Sequence, residues 1–202
     1  MKHCLIILVL SLLCVGMVGC THSGSTANDQ TPSQKADKAL EELNLGTKML
    51  NEGKFQGAEK HLKLALEVDT YSGLARNNLG NVYYQQGRYY DAAWQYQFAA
   101  RLLPKNPEPP NNLGLVLEAS NKLDDAIAQY EKAVALQPNN MQYMGNLARA
   151  RICRGNRDDV TRKLLEDLIV IETRPTWREW EQRELAFWPK SNTPATNPYT
   201  TP

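Results

Sequence analysis

Few side chains in this sequence could do chemistry, and the spacing does not group them. Beyond the N-terminal apolar stretch the histidines are His22 and His61. There is no close cysteine pair, no HExxH, no phosphate-binding glycine loop and no dinucleotide-binding glycine pattern. A zinc ion would lack a His/Cys ligand set. Asp124-Asp125 and Asp158-Asp159 stand where helices are expected to begin, so they complement helix dipoles rather than catalyse or hold a metal. The residues thus point away from an enzyme, and no cofactor or small-molecule substrate is expected. What recurs is an amide. Asn44, Asn78, Asn112 and Asn146 are spaced by 34 residues; Asn77 and Asn111 adjoin them, and Asn81 is one turn on. An amide donates and accepts, so such a row can pair with a peptide backbone whatever its side chains. Equally, it can bond neighbouring helices and help them stack. The two roles are compatible.

The composition says what must position these residues. The 202 residues hold 23 Lys plus Arg against 22 Asp plus Glu, a net charge of +1. A nucleic-acid partner usually demands a basic stripe, and none is present. Aromatic residues are 8% and charged residues 22%, which permits a packed core. Between Ala39 and Trp188 there are 37 Leu plus Ala and only 10 Ile plus Val. Strands favour β-branched residues, so an all-α fold is expected.

One period governs residues 39–174. Gly46, Gly80 and Gly114 are 34 apart, as are Ala58, Ala92 and Ala126, and Ala65, Ala99 and Ala133. Leu45, Leu79, Leu113 and Leu147 carry the register into a fourth copy. Gly53, Gly87 and Gly155 mark a turn, with Asn121 in its place in the third copy. Pro104 and Pro138 close the second and third copies. Each copy reads as helix, turn, helix. Gly in the first helix costs about 1 kcal/mol relative to Ala, which is tolerable if the missing Cβ lets the second helix come close. One pair buries too little alone, so the copies must stack.

This pattern resembles the tetratricopeptide repeat family. Its key residues are Leu79-Gly80, Tyr83, Gly87, Tyr89, Ala92, Tyr96, Ala99 and Pro104 in the second copy, and Leu113-Gly114, Leu117, Ala126, Tyr130, Ala133 and Pro138 in the third. The resemblance implies a right-handed superhelical solenoid of antiparallel helix pairs, over 39–72, 73–106, 107–140 and a degenerate 141–174. Pro107, Pro109 and Pro110 fall in the first turn of the third copy, where N–H groups lack helical partners, and set that helix's start. A capping helix is expected over 175–188, with Trp177, Trp180, Phe187 and Trp188 on one side, buried against the fourth repeat. Residues 189–202 carry four prolines and are expected to be disordered. By the same resemblance the Asn row lies on the first helices and faces a concave groove. The expected lining is Asn44, Asn77, Asn78, Asn81, Tyr84, Asn111, Asn112, Leu115, Asn146 and Arg149, with Leu50 nearby. Some family members grip a C-terminal carboxylate with Lys, Arg and Asn. Here Leu43, Thr47 and Glu108 replace those groups, so that clamp is not expected.

The N-terminus places the chain. Lys2 precedes a 15-residue apolar stretch from Cys4 to Val18, shorter than the roughly 20 residues of a membrane span. Met17-Val18-Gly19-Cys20 resembles the bacterial lipobox, implying a signal peptide over 1–19 and lipidation of Cys20. Thr21 in place of Asp favours the outer membrane by the same resemblance, with the protein facing the periplasm. Residues 20–38 read as a flexible linker. Cys153 is then left alone, with no disulfide partner in the chain, and is expected to pack as a small side chain on a helix. The functional expectation is a non-enzymatic scaffold in the bacterial envelope, attached through its N-terminal lipid. Its partner is a protein or peptide held in the groove. By resemblance to tetratricopeptide lipoproteins, it assists pilus or secretion-system assembly. The alternatives are an envelope structural spacer and an accessory subunit of a cell-envelope enzyme.

Overall fold

The computed structural model describes residues 31–188. Among these residues there are nine α-helices and no strand. They are α1 (Pro32–Asn51), α2 (Phe55–Val68), α3 (Gly73–Gln85), α4 (Tyr89–Leu102), α5 (Glu108–Ala119), α6 (Leu123–Leu136), α7 (Met141–Arg154), α8 (Asp159–Ile171) and α9 (Pro175–Ala186). The expected signal peptide, the expected lipidation site Cys20 and the tail from 189 onward lie outside the described residues. No helix described is long and apolar enough to cross a membrane.

Each pair turns in the same way. At the end of the first helix, Gly53, Gly87, Asn121 and Gly155 adopt φ of 72°, 74°, 57° and 91°. The following N–H reaches back to close the helix: Lys54 to Met49, Arg88 to Tyr83, Lys122 to Leu117 and Asn156 to Arg151, all at 2.8–2.9 Å. This is the Schellman arrangement, and it satisfies carbonyls that would otherwise be orphaned. Asn121 serves because Asn tolerates the left-handed region best after Gly.

Inside a pair, small residues set the spacing. A Cβ on Gly80 would lie 2.6 Å from the Tyr96 ring, and one on Gly114 2.5 Å from the Tyr130 ring. Gly46 meets Leu62 in the same way. Ala58, Ala92 and Ala126 on the second helices are wholly buried. The core runs along the solenoid as three clusters: from Ala58 to Val116, around Tyr130 and Leu147, and around Leu165 and Leu168. Sequential helices pack, and α1 touches α3, α3 touches α5 and α5 touches α7. No contact joins α2 to α4, α4 to α6 or α6 to α8. The first helices therefore crowd the inner face and the second helices splay on the outer one. That asymmetry is the curvature of a tetratricopeptide superhelix.

Three expectations are corrected. The linker expected through residue 38 ends sooner, since α1 starts at Pro32. Thr31 caps it, its hydroxyl accepting from Gln34 N at 3.3 Å while Gln34 Oε1 accepts from Thr31 N at 2.9 Å. Cys153 is exposed near the end of α7 rather than packed. The aromatic face of the cap is divided: Trp188 is buried, Trp177 and Trp180 are half-buried, and Phe187 is 76% exposed. The helix ends at Ala186, so Phe187 and Trp188 leave it in different directions. The prolines behave as expected, with Pro107 at the cap of α5 and Pro109 and Pro110 buried in its first turn.

Candidate functional site

The Asn row is continuous, and most of it is turned inward on the protein. Asn146 Nδ2 donates to Asn111 Oδ1 at 2.9 Å, and Asn112 Nδ2 donates to Asn77 Oδ1 at 3.2 Å. These are the same link in successive interfaces, each running from one repeat back to the previous one. Asn111 Nδ2 joins them by donating to Asn112 Oδ1 at 3.2 Å. Asn112 also donates to Asn81 Oδ1, which accepts from the Tyr96 hydroxyl at 2.7 Å. In the first interface the matching acceptor position is Leu43, so Asn78 uses Thr47 Oγ1 at 2.8 Å instead. At α9 the register puts Trp180 in the Asn position, and the row stops there.

Asn77, Asn111 and Asn146 are buried. They bond neighbouring helices and do not line the groove, which corrects their assignment as ligand contacts. Asn44 is exposed on α1, and Asn78 and Asn112 are half-buried. A buried amide left without its partner costs about 1–3 kcal/mol. Asn111→Ala removes a partner from both Asn146 and Asn112. It is expected to destabilise the stack by about 1.5 kcal/mol in urea unfolding followed by circular dichroism.

Beside this network the inner face opens into a hollow of about 500 Å³, bounded by α1, α3 and α5 and the start of α2. Leu50, Phe55, Tyr84 and Leu115 give it apolar walls, and Asn51, Asn81 and Asn112 give it amides. No charged side chain lines it. The expected lining residues Asn81, Tyr84, Asn112 and Leu115 thus meet in one place. Leu50, Asn51 and Phe55 belong with them. Phe55 keeps the 34-residue register with Tyr89 and Leu123, whereas Asn51 is matched by Gln85, Ala119 and Cys153 and so stands outside the Asn row.

Arg149 stands one repeat away, tied to Glu118 through two hydrogen bonds of 2.9 Å. Tyr130 donates to the same carboxylate at 2.7 Å. Burial pushes Glu118 upward, but the hydrogen bonds from Arg149 and Tyr130 outweigh it and hold its pKa below the ordinary carboxylate value. The Trp177 ring lies 5.9 Å from the Arg149 guanidinium and 5.0 Å from that of Arg174. Arg149 is therefore neutralised and braced, not a free cation facing a ligand. His61 Nδ1 lies 2.7 Å from Glu42 across α1 and α2, away from this hollow. Among the described residues no three His, Cys, Asp or Glu side chains are grouped to hold a metal ion.

Comparison with known proteins agrees with this geometry. Residues 80–120 match one tetratricopeptide repeat model and residues 111–140 another. No curated protein matches the chain. Among solved structures it is similar to the first tetratricopeptide domain of Spaghetti (RPAP3) bound to an HSP90 peptide, at 23% identity and a TM-score of 0.57. That match covers 59% of this chain and 94% of the other. It is similar to MamA at 22% identity and a TM-score of 0.61, covering 67% and 74% of the two chains. An O-GlcNAc transferase from Thermobaculum terrenum matches at 21% identity and a TM-score of 0.62; this chain spans 28% of that enzyme. The 34-residue spacing, the inward glycines and these likenesses agree that the described residues form a tetratricopeptide repeat superhelix.

Proposed function

We propose that this chain is a non-enzymatic scaffold, lipid-anchored in a bacterial envelope, that holds an extended segment of a protein partner in the hollow between α1, α3 and α5. The observation that carries the reading is the chemistry of that hollow. Apolar walls and unpaired amide capacity, with no charge, suit a peptide backbone bearing apolar side chains. The structure of the RPAP3 domain holds an acidic HSP90 peptide. Here no cation lines the hollow, so a ligand gripped through its carboxylate does not fit. Attachment rests on the lipobox-like run ending in Gly19-Cys20, and Thr21 favours the outer membrane. Assistance to a pilus or secretion assembly is the role we assign to a scaffold so placed.

Two experiments test the parts separately. Captured partner from envelope extracts is expected to fall about tenfold or more with Tyr84→Ala/Leu115→Ala, provided circular dichroism shows the variant folded. Undiminished capture removes the hollow as the binding site and favours a spacer role. A fatty-acid probe is expected to label the wild type and not Cys20→Ser; equal labelling rules that site out.

A further inference from the structure

The outer face carries a second furrow, independent of the concave hollow. Because α4 and α6 do not touch, α5 forms a floor between them. Two cavities, of about 220 and 620 Å³, lie along this trough and share Gln97. The fold opens a gap of this kind at each repeat. What distinguishes this one is its decoration.

One stripe of α4, at helical spacing, puts Tyr90, Trp94, Gln97 and Arg101 along one wall. Tyr90 is 92% exposed and Trp94 59%. Such large aromatic surfaces facing water are uncommon without a partner. They are also held in place. The Phe98 ring lies 5.2 Å from Trp94, and the guanidiniums of Arg101 and Arg76 sit over it at 5.3 and 4.8 Å. Phe98 therefore fixes both the aromatic surface and the cation before any ligand arrives, which lowers the ordering cost of binding.

Charge is arranged along the trough. At the far end from Trp94, Arg101 on α4 and Lys132 on α6 line the larger cavity, and no acidic side chain lines either cavity. Neither cation forms an ion pair among the described residues. Nearby acids are engaged elsewhere: Asp91 with Arg88, Asp124 with Arg154 and Glu131 with Arg151. At the aromatic end Lys122 lines the smaller cavity. The trough is thus basic along its length, with Lys122 at its aromatic end and the pair Arg101 and Lys132 at the other, where Leu113, Pro110 and Leu136 add apolar surface.

We propose that this furrow docks an extended acidic peptide, seating an apolar side chain on Trp94 and a carboxylate between Arg101 and Lys132. Trp94 and Arg101 are seven residues apart on one helix, about 10 Å. An extended strand advances about 3.3 Å per residue, so the two anchors of the ligand are separated by about three residues. A flat bilayer does not enter a concave trough, and an apolar floor suits aliphatic side chains better than hydroxylated sugar.

The test uses the protein from residue 20 onward and fluorescein-labelled Gly/Ser peptides. Each peptide carries one Trp or Leu and one Asp at separations from about one to about five residues. Fluorescence anisotropy is expected to show tightest binding near a three-residue separation, weakened by salt. Trp94→Ala and Arg101→Glu should each weaken it about tenfold, whereas Tyr84→Ala, in the concave hollow, should leave it unchanged. Both altered residues are exposed, and circular dichroism melts check that the variants fold. Binding without a preferred separation, or unchanged by either furrow variant, overturns the proposal. So does a result in which those variants instead abolish association with phosphatidylglycerol vesicles, with peptidoglycan fragments or with a second copy in sedimentation.

Discussion

Gly114→Ala is expected to destabilise the protein by about 2 kcal/mol, while Gly145→Ala, in the next repeat but off that register, stabilises it by about 1 kcal/mol. Both glycines are inside first helices, where Ala is intrinsically favoured by that last amount. The difference lies in what the new methyl group meets. At Gly114 it would sit 2.5 Å from Cε1 and 2.7 Å from Cδ1 of Tyr130. That ring cannot swing away. It is fully buried, and its hydroxyl is held by Glu118 at 2.7 Å. The second helix must therefore move outward, disturbing Ala126 and the contact with α7. Overpacking of this kind costs about 1–3 kcal/mol and outweighs the gain in propensity. At Gly145 nothing lies within 4 Å of the added Cβ, so only the propensity gain remains. Thermal and urea midpoints of the two variants, measured side by side, check the opposite signs. No loss at Gly114 would show that it is not there for close helix approach, and a loss at Gly145 would show that its added methyl group does meet a neighbour.

Glu181→Leu is expected to stabilise the protein at pH 4.5 and by about 3 kcal/mol more at pH 8. Glu181 occupies the register position of Leu79, Leu113 and Leu147, one period on. Like them it is buried, with no exposed surface, and neither carboxylate oxygen has a hydrogen-bond partner. Burial, followed by the negative charge of Glu172, raises its pKa to about 7; Arg174 and Arg178 oppose this only in part. The folded state therefore holds this proton more tightly than the unfolded one. The resulting penalty is absent below the unfolded pKa near 4.5, grows as pH rises and is complete above about 7. Leu removes it. Glu172 behaves in the opposite sense. It is also buried, but hydrogen bonds from Arg174 pull its pKa down to about 2. Its contribution is present above pH 4.5 and is lost as pH falls through 2. The variant's unfolding midpoint, measured from pH 4.5 to 8, should diverge from wild type as pH rises. A constant offset would mean that Glu181 is solvated.

Much of the fold was legible in the sequence because the repeat reports geometry directly. A residue that recurs every 34 positions on successive helices must occupy equivalent places. Glycines facing a bulky Tyr, and Gly or Asn at each turn, follow from that alone. The site was less legible. A period says which side of a helix an Asn occupies, but not whether the next repeat covers it. The adjacent pairs Asn77-Asn78 and Asn111-Asn112 held the clue, since two neighbouring amides can bond forward and backward along the stack. The start of α1 was also written in the chain: Thr31-Pro32-Ser33-Gln34 carries a capping box with Pro at the first helical position. The polar composition around it masked the signal. Cys153 is exposed because it falls in the final turn of α7, at the register position where Asn51, Gln85 and Ala119 are exposed in the earlier repeats.

The most direct measurement is photo-crosslinking from defined positions of the full-length protein in envelope preparations. A photoreactive amino acid replaces Tyr84 or Leu115 in the hollow, or Val170, 81% exposed on α8, as a control. The expected result is one partner adduct shared by positions 84 and 115 and absent from 170. Adducts of equal yield from all three positions, or none from the hollow while an unmodified protein still captures its partner, would contradict an uncharged inner hollow as the place where another chain is held.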